Sequence, residues 1–256
     1  MERELRLSDG RRLAATETGN GDTLVVLVHG WCCQRGDWQD YLQTAPRTAR
    51  FLALDLPGHG DSAATEGSWT VAGMARDLAD LVRTQVPSRV VLVGHSMGGA
   101  VALEAARLLE GVAAVVFVDT FIIPYGDLAE DDAAAIERNF RNDFPAAVAK
   151  LVETNTSDAM PEPRKQALTA QMAGAAPDKM LPLWGDLLRW SPEPAFEAVA
   201  APLFAVNGEM IPEAARRRCA GRVSDVVLSY PGHFPQWEQP EAFNRALNEQ
   251  LRPLIG

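Results

Sequence analysis

The chain has 256 residues, of which 24 are Lys or Arg and 34 are Asp or Glu, so its formal net charge is −10 with neutral histidines. A mean field of that sign opposes binding to nucleic acid and to anionic membrane surfaces. The composition, 47% hydrophobic and 23% charged, is typical of a globular protein and excludes a mainly disordered chain. We therefore expect neither nucleic acid nor a membrane as a partner.

Apolar runs along the chain are short. The longest, residues 24–28 and 112–118, fall well below the roughly 18 residues that a membrane helix needs. The start of the chain carries alternating charges and leads into no apolar stretch, which predicts the absence of a secretory leader. The three cysteines include an adjacent pair and show no metal-binding spacing, so we expect reduced thiols and a cytoplasmic location.

Short apolar, β-branched runs alternate with helical stretches along most of the chain. An antiparallel hairpin is predicted first, over residues 5–7 and 12–14. Strands apolar on both faces are predicted at 24–28, 51–54, 89–93, 114–118, 203–206 and 226–228. Helices are predicted at 71–85, with Thr70 as its N-cap, and at 97–109 and 240–251. This alternation indicates a single α/β fold with a mostly parallel central sheet.

Residues 124–194 interrupt the alternation, because they contain helical patches separated by prolines and no convincing strand. The prolines taken as separators are Pro145, Pro161, Pro163, Pro177 and Pro182. An insertion between strands of an open α/β sheet lies at the carboxyl edge, where ligands bind. We interpret the segment as a helical cap on a core domain formed by residues 1–123 and 195–256. The alternative, that these helices only lengthen the fold, stays open.

The most informative segment is Gly94-His95-Ser96-Met97-Gly98. A Gly-x-Ser-x-Gly pattern is weak by itself, but here it follows a predicted strand and precedes a predicted helix, as a nucleophile turn requires. Small residues at 94 and 98 would let the strand and the helix approach closely around Ser96. The pattern predicts that Ser96 is a nucleophile at a helix N-terminus, where backbone N–H groups stabilise negative charge.

Four segments in this order resemble those of the α/β-hydrolase family: residues 29–31, 55–62, 94–98, and 232–235 with 239–240. The resemblance covers nearly the whole chain and implies an α/β-hydrolase fold. With its length and single helical insertion, the chain looks most similar to small carboxylesterases and their lactone- or thioester-hydrolysing relatives.

A serine nucleophile needs a base that titrates near neutrality, which favours histidine. Of the four histidines, only His233 follows Ser96 far enough along the chain to return on a separate loop, in the order that this fold requires. We predict that His233 is the base. His29 and His59 are interpreted as structural, and His95 is expected to point elsewhere because neighbouring side chains diverge.

Two backbone N–H groups should stabilise the oxyanion formed during attack on a carbonyl. One is predicted at Met97, the residue after the nucleophile, and the resemblance implies the other at Trp31. Cys32 and Cys33, beside Trp31, are interpreted as buried packing residues.

Trp184 and Trp190 are candidates for lining an apolar substrate pocket under the cap. The alternative is that both tryptophans only pack the interior of the helical insertion.

The chain departs from the family pattern at the acid. The family usually has Gly-x-x-Asp after the strand predicted at 203–206, whereas here Ile211 occupies the Asp position. We predict that the acid is Asp119, at the end of the preceding predicted strand, and Glu209, close to Ile211, is the alternative. Some haloalkane dehalogenases and the cofactor-independent quinolone dioxygenases look similar in placing the acid at the Asp119 position.

These observations favour a serine hydrolase of the carboxylesterase type. We expect it to cleave uncharged esters, or related lactones or thioesters, with small to medium acyl groups through an acyl-enzyme intermediate, without metal or cofactor. A cofactor-independent dioxygenase of the same fold and a ligand-sensing protein remain alternatives. The sequence leaves the substrate and the oligomeric state open.

Overall fold

The computed structural model describes residues 1–255. Within them the strands are β1 (Glu2–Arg6), β2 (Arg12–Thr18), β3 (Thr23–Val28), β4 (Arg50–Leu54), β5 (Arg89–His95), β6 (Val112–Val118), β7 (Leu203–Asn207) and β8 (Val223–Val227). They form one sheet in the order β1-β2-β4-β3-β5-β6-β7-β8. The β1–β2 and β2–β4 pairs are antiparallel and the others parallel, so the predicted α/β fold with a mostly parallel sheet is confirmed.

The helices surround this sheet. They are α1 (Gln39–Thr44), α2 (Val71–Thr84), α3 (Met97–Ala106), α4 (Glu130–Asn142), α5 (Phe144–Asn155), α6 (Glu162–Ala173), α7 (Pro177–Leu188), α8 (Glu193–Ala198), α9 (Glu213–Cys219), α10 (Pro235–Glu238) and α11 (Pro240–Ile255). The predicted N-cap of α2 is present, because the Thr70 hydroxyl accepts the Gly73 N–H at 3.0 Å. No helix in residues 1–255 combines the length and apolarity needed to cross a bilayer.

Alternate residues of the central strands pack into two different apolar layers. On β3, Leu24 and Val26 belong to a cluster that includes residues of α2 and α3, whereas Val25 and Leu27 belong to a second cluster with α1 and α11. Successive side chains of a strand point to opposite faces, so a sheet covered on both sides needs continuous apolar strands. This arrangement explains the unbroken apolar runs seen in the sequence.

The prediction for the last strand was partly wrong. β8 begins three residues earlier than predicted, at Val223, and its residues are mostly exposed, Val227 by 50%. β8 lies at the edge of the sheet and pairs with β7 alone, so no neighbouring strand covers its other edge.

The segment between β6 and β7 is helical, running from α4 to α8. Pro182 lies inside α7 and does not separate two helices, and α8 extends across the boundary predicted at residue 194. Each of the helices α5 to α8 has a proline at its first or second position. Proline has no backbone N–H, and at the start of a helix this costs nothing because N–H groups there have no intrahelical acceptor. Prolines in this segment therefore mark helix starts more often than breaks.

Candidate active site

Ser96 lies at the turn between β5 and α3. Its backbone angles, φ 53° and ψ −124°, are in a region that non-glycine residues rarely adopt. The turn is held by the Ser96 N–H, which donates to the Val118 carbonyl of the neighbouring strand at 2.9 Å. The side chain is thereby fixed at the carboxyl edge of the sheet, at the N-terminus of α3.

The two glycines that flank Ser96 allow this turn because their neighbours approach too closely for a side chain. A Cβ at Gly94 would lie 2.2 Å from the carbonyl group of Gly98. A Cβ at Gly98 would lie 2.3 Å from the Val28 carbonyl oxygen of β3. The close approach of strand and helix that the Gly-x-Ser-x-Gly pattern predicts is therefore present.

Asp119 follows β6 at the same edge of the sheet. His95, the last residue of β5, pairs with Val118, the last residue of β6. Ser96 and Asp119, the residues that follow, therefore lie next to each other at the ends of adjacent strands. Asp119 is fully buried with φ 46°, and its Oδ1 accepts the Gly208 N–H at 2.7 Å. Its Oδ2 accepts the hydroxyl proton of Tyr230. Both carboxylate oxygens are thus held in place by donors from the β7 and β8 loops.

His233 lies in the loop after β8, with Nδ1 3.7 Å from Asp119 Oδ2. Its peptide N–H donates to the Asn155 carbonyl of α5 at 2.8 Å. Its carbonyl oxygen is 2.7 Å from His95 Nε2, and the two imidazole rings lie 4.7 Å apart. His95 therefore does not point away from the site, as the sequence had suggested, but contacts the residue predicted to be the base.

Glu209, the alternative acid, is exposed on the loop after β7. Its carboxylate accepts the Ser229 hydroxyl proton at 2.7 Å, and its N–H donates to the Tyr230 carbonyl at 3.2 Å. Of the two candidate carboxylates, the structure places that of Asp119 facing the His233 imidazole.

Sequence reasoning missed Glu238, a buried carboxylate beside the His233 loop. It accepts the Phe234 N–H at 2.9 Å and the Ser157 N–H, just beyond α5, at 2.6 Å. A Cβ at Gly232 would lie 2.0 Å from this carboxylate, so a side chain there would displace the carboxylate from its present position. The only sequence cue was an acidic residue beside a tryptophan, Trp237-Glu238, and this pattern does not reveal which N–H groups the carboxylate binds.

The candidate oxyanion donors belong to two segments that adjoin Ser96. Met97 opens α3, and the first N–H groups of a helix have no intrahelical acceptor. Trp31 follows Gly30, which is so close that a Cβ there would lie 3.3 Å from Ser96 Cβ. The Trp31 indole donates to the Met180 carbonyl of α7 at 3.0 Å, which fixes its side chain under the insertion.

Ser96 and His233 open into one cavity of about 320 Å³ between the sheet edge and the helical insertion. It is lined mainly by apolar side chains, and the lining residues are Gly30, Trp31, Cys33, His95, Ser96, Ile122, Ile123, Tyr125, Ile136, Phe140, Leu151, Val152, Asn155, Met172, Trp184, Met210, His233 and Phe234. Among the described residues, the lining contains no Asp, Glu, Lys or Arg.

The two tryptophans predicted to line a pocket differ in position. Trp184 lines the cavity and packs against Trp31, with ring centroids 4.7 Å apart. Trp190 does not line it, so this part of the prediction was wrong. Its indole donates to Glu104 of α3 at 2.9 Å and its ring stacks on Phe121, because α7 ends before Trp190 and the chain turns away from the cavity.

The remaining histidines are neutral structural groups. Burial lowers the pKa of His29 to about 4 and that of His59 to about 3. His29 Nε2 accepts the Leu56 N–H at 3.1 Å and its Nδ1 lies 2.8 Å from the Gly30 carbonyl, so His29 joins two loops at the sheet edge. Burial likewise holds the pKa of His95 well below its usual value.

The thiols near the site are not activated. Burial raises the pKa of Cys32 and Cys33 well above the usual range, so both stay protonated and weakly nucleophilic. No group of three or more His, Cys, Asp or Glu side chains in residues 1–255 is arranged to hold a metal ion.

Residues 25–246 match the model of the alpha/beta hydrolase family. The chain is 27% identical over 242 residues to the biotin biosynthesis bifunctional protein BioHC of Cellvibrio japonicus, an alignment that covers 88% of this chain and 47% of that protein. It is 37% identical over 98 residues to the pimeloyl-[acyl-carrier protein] methyl ester esterase of Methylococcus capsulatus, covering 38% of this chain and 37% of the relative. The matches thus span less than half the length of these curated relatives.

Among solved structures, a thermophilic esterase from Thermogutta terrifontis superposes with a TM-score of 0.82. The superposition covers 100% of both chains at 24% sequence identity. At this identity the likeness supports the fold, and it confirms the fold class predicted from the sequence.

Proposed function

The chain belongs to the alpha/beta hydrolase family, and on that premise we propose that it is a carboxylesterase that cleaves uncharged esters through a serine-bound acyl intermediate. The observation that carries the proposal is the position of Ser96, held at a helix N-terminus in a cavity shared with His233, whose imidazole faces the buried Asp119. The ester named for the Methylococcus capsulatus relative and the esterase named for the Thermogutta terrifontis structure agree with this class of substrate.

In the first step, Ser96 Oγ attacks the ester carbonyl carbon while His233 takes the hydroxyl proton. Asp119 lies on the Nδ1 side of the imidazole, where a carboxylate stabilises the imidazolium and fixes its tautomer. The 3.7 Å separation is longer than a hydrogen bond, and catalytic contacts of this kind commonly shorten when substrate binds.

The tetrahedral intermediate carries its negative charge on the former carbonyl oxygen. The N–H groups of Met97 and Trp31 are the proposed donors, each worth about 3 kcal/mol in transition-state stabilisation. Collapse of the intermediate expels the alcohol, which receives the proton from His233. Water, deprotonated by the same imidazole, then hydrolyses the acyl-serine and restores Ser96.

The cavity restricts the substrate to uncharged groups. Transfer of a charged acyl tail into an apolar lining without a countercharge costs several kcal/mol. Aromatic and aliphatic side chains of the insertion, including Phe140 and Trp184, would contact the acyl or alcohol group. Esters with apolar substituents are therefore the proposed substrates.

Labelling with a fluorophosphonate tests the nucleophile. We expect one adduct, on Ser96, because activation requires both the base and the oxyanion donors. Ser96→Ala should lose the label and lower kcat by at least about 10⁴-fold. Ser62→Ala is the control, since Ser62 is buried but lies outside the cavity, and this variant should keep the label. An adduct elsewhere, or active protein that does not react, would contradict the proposed function.

A further inference from the structure

The carboxylate of Asp119 binds other groups besides the one it faces on His233. Gly208 donates its N–H to Oδ1, and Tyr230 donates its hydroxyl proton to Oδ2, the oxygen nearest the imidazole. His233 Nδ1 is buried and makes no hydrogen bond within the described residues. In this structure, therefore, the Tyr230 hydroxyl is hydrogen-bonded to Asp119 Oδ2. In a catalytic triad, that oxygen would accept the hydrogen bond from the histidine.

Tyr230 is fixed in this position by its surroundings. It is fully buried, its N–H donates to the Leu228 carbonyl at 3.1 Å, and its carbonyl accepts the Glu209 N–H. The hydroxyl end of its ring lies close to Gly208, where a Cβ would come within 2.5 Å of Tyr230 Cζ. A side chain at position 208 would displace the hydroxyl from Asp119, so glycine at this position keeps the contact.

The phenol remains a donor at every pH at which the protein would be assayed. Burial, and then the negative charge of Asp119, raise the pKa of Tyr230 far above its usual value. A hydrogen bond from a neutral hydroxyl to a carboxylate stabilises the ionised acid and spreads its charge.

We propose, resting on the proposed function, that Tyr230 is a positioning residue that acts on His233 through Asp119. Its hydroxyl orients the carboxylate and takes up part of its negative charge, which weakens the attraction between Asp119 and the imidazolium. The acid limb of the activity profile then lies at a lower pH than it would with an Asp119 that lacked this donor.

Other ionisable groups surround His233, and none of them contacts the Tyr230 hydroxyl. The His95 ring lies 4.7 Å away and is kept neutral by burial. Glu238 binds the backbone on the other side of the loop, and Asp225 on β8 accepts a hydrogen bond from Asn207 at 3.0 Å. Removal of the Tyr230 hydroxyl alone therefore changes the charge felt by the imidazole mainly through Asp119.

The pH profile of kcat/KM for Tyr230→Phe tests the proposal. Loss of the donor concentrates charge on Asp119 and favours the imidazolium, so the midpoint of the acid limb should rise by about 0.5 to 1 pH unit. Below the midpoint, kcat/KM should fall about three- to tenfold, while the alkaline plateau changes less than about twofold.

Tyr41→Phe is the matched control. Tyr41 is equally buried, but its hydroxyl donates to Asn248 Oδ1 at 2.9 Å and not to Asp119, and it packs in the apolar cluster that includes residues of α11. This variant should leave the midpoint unmoved. A lower plateau with an unmoved midpoint in Tyr230→Phe would mean a purely structural role and would overturn the proposal.

A second experiment keeps the test decisive if Tyr230→Phe does not fold. The chain has three tyrosines, so Tyr41→Phe/Tyr125→Phe leaves Tyr230 alone to be replaced by 3-fluorotyrosine, whose more acidic phenol is a stronger donor. The midpoint should then move downward relative to the same double variant with ordinary tyrosine. An unmoved midpoint at full incorporation would overturn the proposal.

Fluorophosphonate labelling of each protein separates the two possible failures. If Ser96 is labelled and the midpoint does not respond to Tyr230, only the inference about Tyr230 fails. If Ser96 of the unsubstituted protein is not labelled, the proposed function fails first.

Discussion

The loops at the carboxyl edge of the sheet and the helical insertion between β6 and β7 contribute different side chains to the same cavity. The sheet edge supplies the polar groups, Ser96 and His233, with Asp119 buried behind them. The insertion supplies mainly apolar side chains such as Phe140 and Trp184. In the proposed function, catalysis and substrate fit are therefore carried by separate parts of the chain.

The two regions are also held in different ways. The peptide groups of Ser96 and Asp119 donate to carbonyls of neighbouring strands, so the sheet itself fixes them. The insertion meets the core partly through side chains, for example the hydrogen bond from Gln34 Nε2 to Gln171 Oε1 at 2.7 Å. Substitutions at the sheet edge should accordingly change the rate of the chemical step, and those in the insertion should change which ester is preferred.

The largest effect is expected at the acid. Asp119→Asn should lower kcat by at least about 100-fold, because an amide cannot stabilise the imidazolium as a carboxylate does. Glu209→Gln is the matched comparison on the adjacent strand end and should lower kcat less than about tenfold, since its carboxylate faces Ser229. Steady-state kinetics on both variants, with folding checked by Tm, gives the answer. Reversed losses would assign the acid to Glu209.

A smaller effect is expected where the two regions meet, at Glu238. In Glu238→Gln one of the N–H groups now bound by the carboxylate, that of Phe234 or Ser157, would face an amide nitrogen and lose its acceptor. The His233 loop would loosen, and we expect kcat to fall about tenfold, since small misplacements of a catalytic group are costly.

Glu241→Gln, three residues along the chain and exposed, is the control for Glu238 and should behave as the unsubstituted protein. Measurement of kcat and Tm separates loss of loop geometry from loss of stability. Unchanged kcat in Glu238→Gln would show that the contact between Glu238 and the insertion does not help to place His233.

The smallest effect is expected within the insertion and concerns selectivity. Trp184→Phe enlarges the cavity, so the ratio of kcat/KM for a longer acyl ester to that for a shorter one should rise about threefold. Trp190→Phe is the matched control, because Trp190 is similarly buried (9% exposed, against 5% for Trp184) but lies off the cavity. Chromogenic esters of graded acyl length provide the assay. Equal ratios in both variants would remove Trp184 from the substrate site.

Several patterns that depend on neighbours in the chain were read correctly from the sequence, although His95 and Pro182 were not. The apolar runs predicted the buried strands because a sheet covered on both faces needs them, and the Thr70 cap predicted the start of α2. The turn around Ser96 was predicted because its glycines are required by short-range contacts between a strand and the helix that follows it. The edge strand β8 was described less well, since its exposure depends on its place in the sheet.

The sequence by itself determined the alternation of strands and helices, the helical insertion and the strand-turn-helix setting of Ser96, because each follows from local sterics and periodicity. Only the tertiary structure decided which carboxylate faces His233, that Trp190 turns away from the cavity, and that Tyr230 and Glu238 bind the loops beside it. These contacts join residues up to 114 positions apart, as for Asp119 and His233. Their geometry depends on strand register and loop packing, which no local pattern specifies.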